Sequence, residues 1–307
     1  MKIIHFVAGL EKNNGMANTA RQFIAEELAA GNDSRLTNDL KEIVRGVDIV
    51  HIHGSWLPVL WSASKAAKRI GAKLIIRPAG SYDPIRRAFH GWKKRLVAFF
   101  EHRMLRRADV LLATCEAERK WILDYEPEAN VEITDLKRFF RLERECRVEV
   151  EKCRGEARTA RPMHVLYLGR RHPLKGVEFL EQAVAELNKE TPLSISTSSL
   201  HLRIVSDHFG EELERDWEWC DVLCLPTLSE NFGRVVAEAL ERGKRVVVTD
   251  GAPAWEPPPE AAEVEVEVEI RGGRWWDRLS YVRGFRDGTD EERVKLLKVA
   301  LEKISLV

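Results

Sequence analysis

Short apolar runs that end in proline, glycine or histidine alternate along this chain with longer stretches whose apolar positions recur every three or four residues. That alternation predicts strands and helices in succession. Residues 2–8 read as a first strand, 9–15 as a loop and 17–30 as an amphipathic helix. Residues 48–53, 73–77, 109–114 and 130–134 read as further strands, and 85–107 as one long helix. In the second half, 164–168, 200–205, 221–226 and 245–248 are predicted strands. Helices are predicted over 177–187, from Arg234 to a stop at Arg242-Gly243, and over 290–304. Residues 261–270 alternate strictly and predict a half-exposed edge strand, and 135–158, rich in Arg and Glu, predicts a solvated helix joining two halves. The succession predicts an α/β protein with open parallel sheets and two domains, 1–158 and 159–307.

Composition narrows the class. Charges cancel, with 49 basic and 49 acidic residues, which argues against a general nucleic-acid binder. No apolar run approaches the eighteen or so residues of a spanning helix, and the start reads as a strand rather than a leader, so a cytoplasmic protein is expected. Five cysteines without C-x-x-C spacing predict reduced core thiols, not a disulfide framework or a zinc site.

Open α/β sheets bind ligands beyond the carboxyl ends of their strands. The candidate chemistry falls there. After the strand 221–226 come Ser229, Glu230, Asn231, Phe232 and Gly233, and Glu238 follows eight residues after Glu230 on the next helix, about 12 Å along its axis. That spacing suits one extended ligand and not two acids on one bond. Backbone N–H groups near Asn231–Gly233 would attract hydroxyl or phosphate oxygens. After the strand 164–168 stands GRRHPLKG, where Arg170 and Lys175, with Arg171 as an understudy, could match a diphosphate's charge without metal. His53 ends one strand and Arg77 another, with Tyr82 and Asp83 in the loop that follows. The glycine loop ending at Gly15 lacks G-x-G-x-x-G spacing, which disfavours a dinucleotide oxidoreductase. Between residues 85 and 107, eight Lys or Arg are interleaved with Phe89, Trp92, Leu96, Phe99 and Phe100, a pattern shared by helices on anionic membranes and helices packed on a sheet.

The unit CDVLCLPTLSENFGRVVAEAL and the segment GRRHPLKG resemble the signatures of the retaining, nucleotide-sugar-dependent glycosyltransferases of family four. The resemblance runs from Lys2 to about Glu256. It implies the GT-B fold, two Rossmann-like domains with parallel sheets facing across a cleft, the last helix crossing back to the first domain. It places Glu230 against the transferred sugar, Asn231, Phe232 and Gly233 on sugar hydroxyls, Glu238 on the ribose, and Arg170 and Lys175 on the donor diphosphate. Gly15 falls with the donor-binding residues, in a loop near the diphosphate and acceptor, and His53, Arg77, Tyr82 and Asp83 fall on the acceptor or sugar side. Many members carry histidine where this chain has Ala79, so that role is open here, and the region before Asp221 is shorter than usual, which leaves the base open.

The resemblance implies transfer of a sugar from a nucleotide diphosphate to a glycan or lipid-linked acceptor in cell-surface polysaccharide or lipopolysaccharide assembly, with no metal or other cofactor and no nucleic acid. It also favours peripheral membrane contact through 85–107 at the inner face. Two other readings stay open: a degenerate nucleotide-binding or partner subunit, and a sugar-nucleotide 2-epimerase on the same fold.

Overall fold

The protein is seen in a computed structural model that describes residues 1–10, 15–89, 91–142, 162–190, 199–259 and 274–305. The chain divides into two units, Met1–Phe139 and Phe140–Val307. The division comes ahead of the expected boundary at 158. The expected charged helix 135–158 is described only to Leu142, where it holds a single 3₁₀ turn, Leu136–Phe139, and the expected edge strand 261–270 lies outside the described residues.

In the first unit the order is β1 (Lys2–Val7), α1 (Gly15–Ala29), β2 (Asp33–Thr37), β3 (Ile49–His53), α2 (Pro58–Ile70), β4 (Lys73–Arg77), α3 (Pro84–Ala88), α4 (Gly91–Leu105), β5 (Val110–Ala113), α5 (Glu116–Tyr125) and β6 (Val131–Ile133). All strands pair in parallel, in the order β2-β1-β3-β4-β5-β6. The pleat sorts side chains by parity. Ile4, Phe6, Val50, Ile52, Leu74 and Ile76 bury against Leu60, Ala63 and Ala67 of α2. The opposite parity of the central strands carries His5, Val7, His51, His53 and Arg77, which α1 covers with Ala17, Ala20 and Phe23.

The predicted helix 85–107 is in fact two. Asp83 caps α3 by accepting the Ile85 N–H at 2.9 Å, and Phe89 leaves helical geometry at φ −65°, ψ 116° before Gly91, a poor helix former, opens α4.

The second unit runs β7 (Met163–Leu168), α6 (Val177–Glu190), β8 (Leu200–Val205), α7 (Glu211–Trp219), β9 (Val222–Leu225), α8 (Arg234–Glu241), β10 (Arg245–Thr249), β11 (Leu279–Val282) and α9 (Asp290–Ser305). Its sheet is parallel in the order β11-β10-β9-β7-β8. Val165, Leu166, Val222, Leu223, Val246, Val247 and Val248 are buried, as parallel strands covered on both faces require. The final helix, expected to cross back, packs on α6 and β11 of its own unit. No helix among the described residues is long and apolar enough to cross a membrane.

Candidate functional site

Strand order decides where a crevice opens. The chain leaves β7 through α6 to β8 on one side, then passes through α7 to β9 on the other. The carboxyl ends of β7 and β9 therefore flank the topological switch point, the place where an open α/β sheet receives ligands. The loops there hold Arg170 to Gly176 and Thr227 to Gly233, the two stretches singled out in the sequence.

These loops are locked together by backbone contacts. The Leu174 carbonyl accepts the Leu228 N–H at 2.9 Å and the Thr227 hydroxyl at 2.9 Å. Gly176 sits at φ 59°, and a Cβ there would overlap the Pro226 carbonyl oxygen, so only glycine lets the two strand ends approach this closely. From the far side, the Glu230 N–H donates to the Gly251 carbonyl at 2.7 Å, and Thr249 Oγ1 donates to the Thr227 carbonyl. A Cβ on Gly251 would likewise overlap Thr227. Three strand ends are thus stitched into one platform.

On that platform Lys175 Nζ donates to Glu230 Oε2, with side chains 23% and 19% exposed. The other carboxylate oxygen accepts the Asn231 N–H at 3.1 Å. Asn231 and Phe232 are buried, Trp255 Nε1 donates to the Phe232 carbonyl, and Gly233 at φ 64° turns the chain into α8. The structure so brings together Lys175, Glu230, Asn231, Phe232 and Gly233. Burial, with the Glu230 charge second, pushes the nearby Tyr167 phenol well up.

Arg170 stands exposed at the same strand end. Tyr167 Oη donates to its carbonyl at 3.1 Å, and its guanidinium has no hydrogen bond or ion pair among the described residues. Arg171, the understudy, is instead held on the surface of α6 by Glu181, at 2.9 and 2.6 Å. Glu238 lies on α8 beside Arg234 at 3.6 Å, and burial raises its pKa against the opposing pull of Arg234 and Arg242.

The first unit has its own switch point, between β1 and β3. Gly15 opens α1 after β1, with residues 11–14 of the loop outside the described part. His53 ends β3, but its side chain joins a buried chain of polar groups that crosses the sheet. Arg77 Nε donates to His53 Nδ1 at 3.1 Å, His53 Nε2 meets His5 Nδ1 at 2.9 Å, and His5 Nε2 meets Glu27 Oε2 at 2.8 Å. The Ser34 hydroxyl completes the line by donating to the same carboxylate oxygen at 2.6 Å. His5, His53 and Arg77 are at most 2% exposed. A neutral imidazole has one N–H and one lone pair. Burial, then the neighbouring positive charges, holds His53 well below the usual histidine range, so it is neutral. Arg77 claims its lone pair at Nδ1, which puts the proton on Nε2 and passes direction to His5 and on to Glu27. The guanidinium charge is balanced by a carboxylate two rings away.

His5, His51 and His53 also have ligand atoms within 4.8 Å of one another, by distance a cage for a metal ion, and His51 Nε2 is buried without a partner. The donor set does not fit that use. A metal on His53 Nε2 would drive its proton to Nδ1, against the Arg77 N–H.

The loop after β4 is held from beneath. Tyr82, 1% exposed, donates its hydroxyl to Glu101, which also accepts from Trp61 Nε1 at 2.7 Å and the Trp56 N–H at 3.0 Å. Glu118 accepts the Gly80 N–H at 2.5 Å and the Thr114 N–H at 2.8 Å, and beside it Ala79 takes a left-handed φ of 57°. Arg77, Tyr82 and Asp83, expected on the acceptor side, are buried at 2%, 1% and 1% exposure, Arg77 in the histidine line and Tyr82 and Asp83 in shaping the loop and the start of α3. His5, Glu27, Glu101 and Glu118 are assigned no role by the sequence reading. For His5 a signal exists, since a histidine in β1 aligned with the HIH of β3 predicts one polar face.

Residues 23–134 match the family described as Glycosyl transferase 4-like domain. No curated protein sequence matches the chain significantly. Among solved structures, the chain is similar over 99% of its length to sucrose-phosphate synthase from Thermosynechococcus elongatus, with TM-score 0.61, 15% identity and 90% of that chain covered. It is similar over the same share to HepE from Anabaena in complex with UDP-glucose, with TM-score 0.55, 15% identity and 94% covered. For the lipopolysaccharide outer core galactosyltransferase WaaB the values are 0.52, 14% and 91%. At such identities the likeness establishes the fold, which is GT-B in class: two α/β units, each with a parallel sheet.

Proposed function

We propose that this chain is a glycosyltransferase that takes a sugar from a nucleotide diphosphate and places it on a glycan or lipid-linked acceptor with retention of configuration. The observation that carries the reading is the Lys175–Glu230 contact on the stitched platform at the β7/β9 switch point. The glycosyl transferase 4-like match over residues 23–134 and the UDP-glucose named for the HepE neighbour support it.

In the reaction, the bond between the sugar's anomeric carbon and the diphosphate oxygen breaks, and the leaving group keeps the electron pair. An acceptor hydroxyl oxygen bonds to that carbon, and its proton passes to the departing diphosphate oxygen. Lys175 carries three N–H donors, so it can keep Glu230 and also bind a phosphate oxygen where negative charge develops. Arg170, with its guanidinium exposed, is the second phosphate partner. Glu230 orients the sugar, the amides at Asn231 to Gly233 hold its hydroxyls, and Glu238 accepts from the ribose. Catalysis in this reading is charge stabilisation and positioning, with no metal required. The work would be cell-surface polysaccharide or lipopolysaccharide assembly, in the cytoplasm at the inner face of the membrane, with α4 in peripheral contact with anionic lipid.

A second reading, a nucleotide-binding subunit without turnover, is favoured by one observation: Ala79 offers no imidazole, and Arg77, Tyr82 and Asp83 are all buried. Incubation with UDP-sugars and other nucleotide sugars decides. Release of free nucleotide diphosphate that requires acceptor and is lost in Lys175→Ala supports the transferase, affinity without turnover supports the subunit, and interconversion of sugars supports an epimerase.

A further inference from the structure

On α4, Trp92, Leu96, Phe99 and Phe100 are 65%, 73%, 67% and 50% exposed. Residues 92, 96, 99 and 103 follow one another by four, three and four positions, so they form a single stripe along the helix. The stripe is apolar for three positions and then meets Arg103. At that end a cavity of about 400 Å³ is lined by Phe99, His102, Arg103, Arg106 and Arg107.

The charge of this cavity is unbalanced. Glu126 serves His102 Nδ1 at 2.8 Å and Arg106 Nε at 2.9 Å. Arg107 reaches only the Ser64 hydroxyl at 3.3 Å, and Arg103 has no hydrogen bond or ion pair among the described residues. Burial and the Arg103 charge hold the Arg107 pKa down, as crowded like charges do. Glu128, exposed, also acts on Arg106. The carbonyl end of α4 supplies about half a negative charge, so three guanidiniums against that and two carboxylates leave an excess of about half a positive charge, which falls on Arg103 and Arg107 because both carboxylates act on Arg106. Phe99 belongs both to the cavity wall and to the apolar stripe. A ligand with an anionic head joined to an apolar tail meets both features at once; free phosphate leaves the stripe in water, and an acidic peptide matches only the cations.

We propose that this cavity is a headgroup site for an anionic phospholipid, with the phosphate between Arg103 and Arg107 and the Trp92, Leu96 and Phe99 stripe among the acyl chains. The proposal rests on the reading that α4 lies at a membrane surface, and it makes that contact a built site rather than a diffuse attraction.

The test is flotation of the whole chain, without donor sugar, on vesicles of phosphatidylglycerol mixed with phosphatidylcholine and on phosphatidylcholine alone. Wild type is expected on the anionic vesicles only. L96S/F99S, which changes two exposed side chains, is expected to lose them. R103Q/R107Q is compared with K93Q/R95Q, which removes equal charge from the same helix outside the cavity. Guanidinium–phosphate hydrogen bonds exceed the worth of a screened surface cation, so the cavity pair should weaken binding about tenfold more than the control pair. Equal losses overturn the proposal, as does failure of wild type to float or binding of inorganic phosphate with no vesicle capture. Since the readout needs no turnover, its failure leaves the transferase reading standing, and loss of turnover leaves this one standing.

Discussion

Arg77 donates to His53 across 3.1 Å in a fully buried site, and that single bond fixes the direction of every hydrogen bond from β4 to α1. It follows that both His53 and His5 carry their proton on Nε2. Long-range ¹H–¹⁵N spectra of the imidazoles read this directly. Both rings should show the Nε2–H pattern, and addition of Zn²⁺ should leave them unchanged. A bound metal at stoichiometric Zn²⁺, or an Nδ1–H pattern at His53, would sink the assignment.

The same burial makes stability depend on pH. His51 and His53 are both held well below the ordinary value of 6.5, chiefly by desolvation. Folded, they resist protonation; unfolded, they accept it below about pH 6.5. Their contribution is complete above that pH and is lost as pH falls, at up to about 1.4 kcal/mol per pH unit for each ring. Urea unfolding should therefore give a stability about 3 kcal/mol lower at pH 5.5 than at pH 7.5. A flat profile between those values would mean that both rings charge in the folded state, and a loss of about 1.4 kcal/mol that one of them does.

Lys175→Ala and Glu230→Gln test the switch-point pair. Each should cut turnover about 10²- to 10³-fold, the usual cost of a lost preorganised charge partner. Thermal unfolding should move little, because both side chains keep partial solvent access and such pairs contribute little to stability. Loss of activity together with loss of folding would instead make the pair structural.

Gly176→Ala separates the platform from the chemistry. The residue needs a left-handed φ, costing an L-residue about 1–2 kcal/mol, and its new Cβ would overlap a backbone oxygen that cannot step aside, at a further cost of about 1–3 kcal/mol. A destabilisation near 3 kcal/mol by chemical denaturation is expected, with nucleotide affinity falling because Lys175 is displaced. A neutral substitution would show that the β7 and β9 loops are not locked as described.

How much of this was legible beforehand depended on which residues faced apolar neighbours. The unit from β9 to β10 is readable because its strands have unbroken apolar centres, VLCL and VVV, and its helix has a clean stop at Arg242-Gly243. Lys175 and Glu230, 55 positions apart, were placed together by the resemblance; the physics of their approach lies in Gly176 and Gly251, whose need shows only in three dimensions. β2 carries no strand signal because DSRLT is largely polar, and it pairs at the sheet's edge where one flank needs no apolar partner. The break between α3 and α4 leaves no mark in the periodicity, since the apolar spacing continues across it. The Glu27–His5–His53–Arg77 line draws on four elements, and nothing local marks it. Only the parallel register, His5 beside His51 and His53 beside Arg77, puts the two histidines of the line and Arg77 on one face, where Glu27 meets His5 from α1.

Glu101 offers the last test, because three donors converge on one buried carboxylate. Oε1 accepts from Tyr82 Oη, while Oε2 accepts from Trp61 Nε1 and the Trp56 N–H. In Glu101→Gln the amide oxygen can face the two nitrogen donors and the NH₂ can face Tyr82, whose hydroxyl turns to accept. That variant should lose about 1 kcal/mol or less. Glu101→Leu fills similar space but leaves three buried donors without an acceptor, each costing about 1–3 kcal/mol. A loss of about 3 kcal/mol or more is therefore expected by chemical denaturation. Tyr82→Phe should fall between the two in the wild-type background, since it removes one donor from a carboxylate that burial already pushes above its usual pKa. In the Gln background the order changes: the amide NH₂ then loses its only partner, so Tyr82→Phe should cost more there than in wild type. Additive effects of the two substitutions would show that Tyr82 does not switch from donor to acceptor.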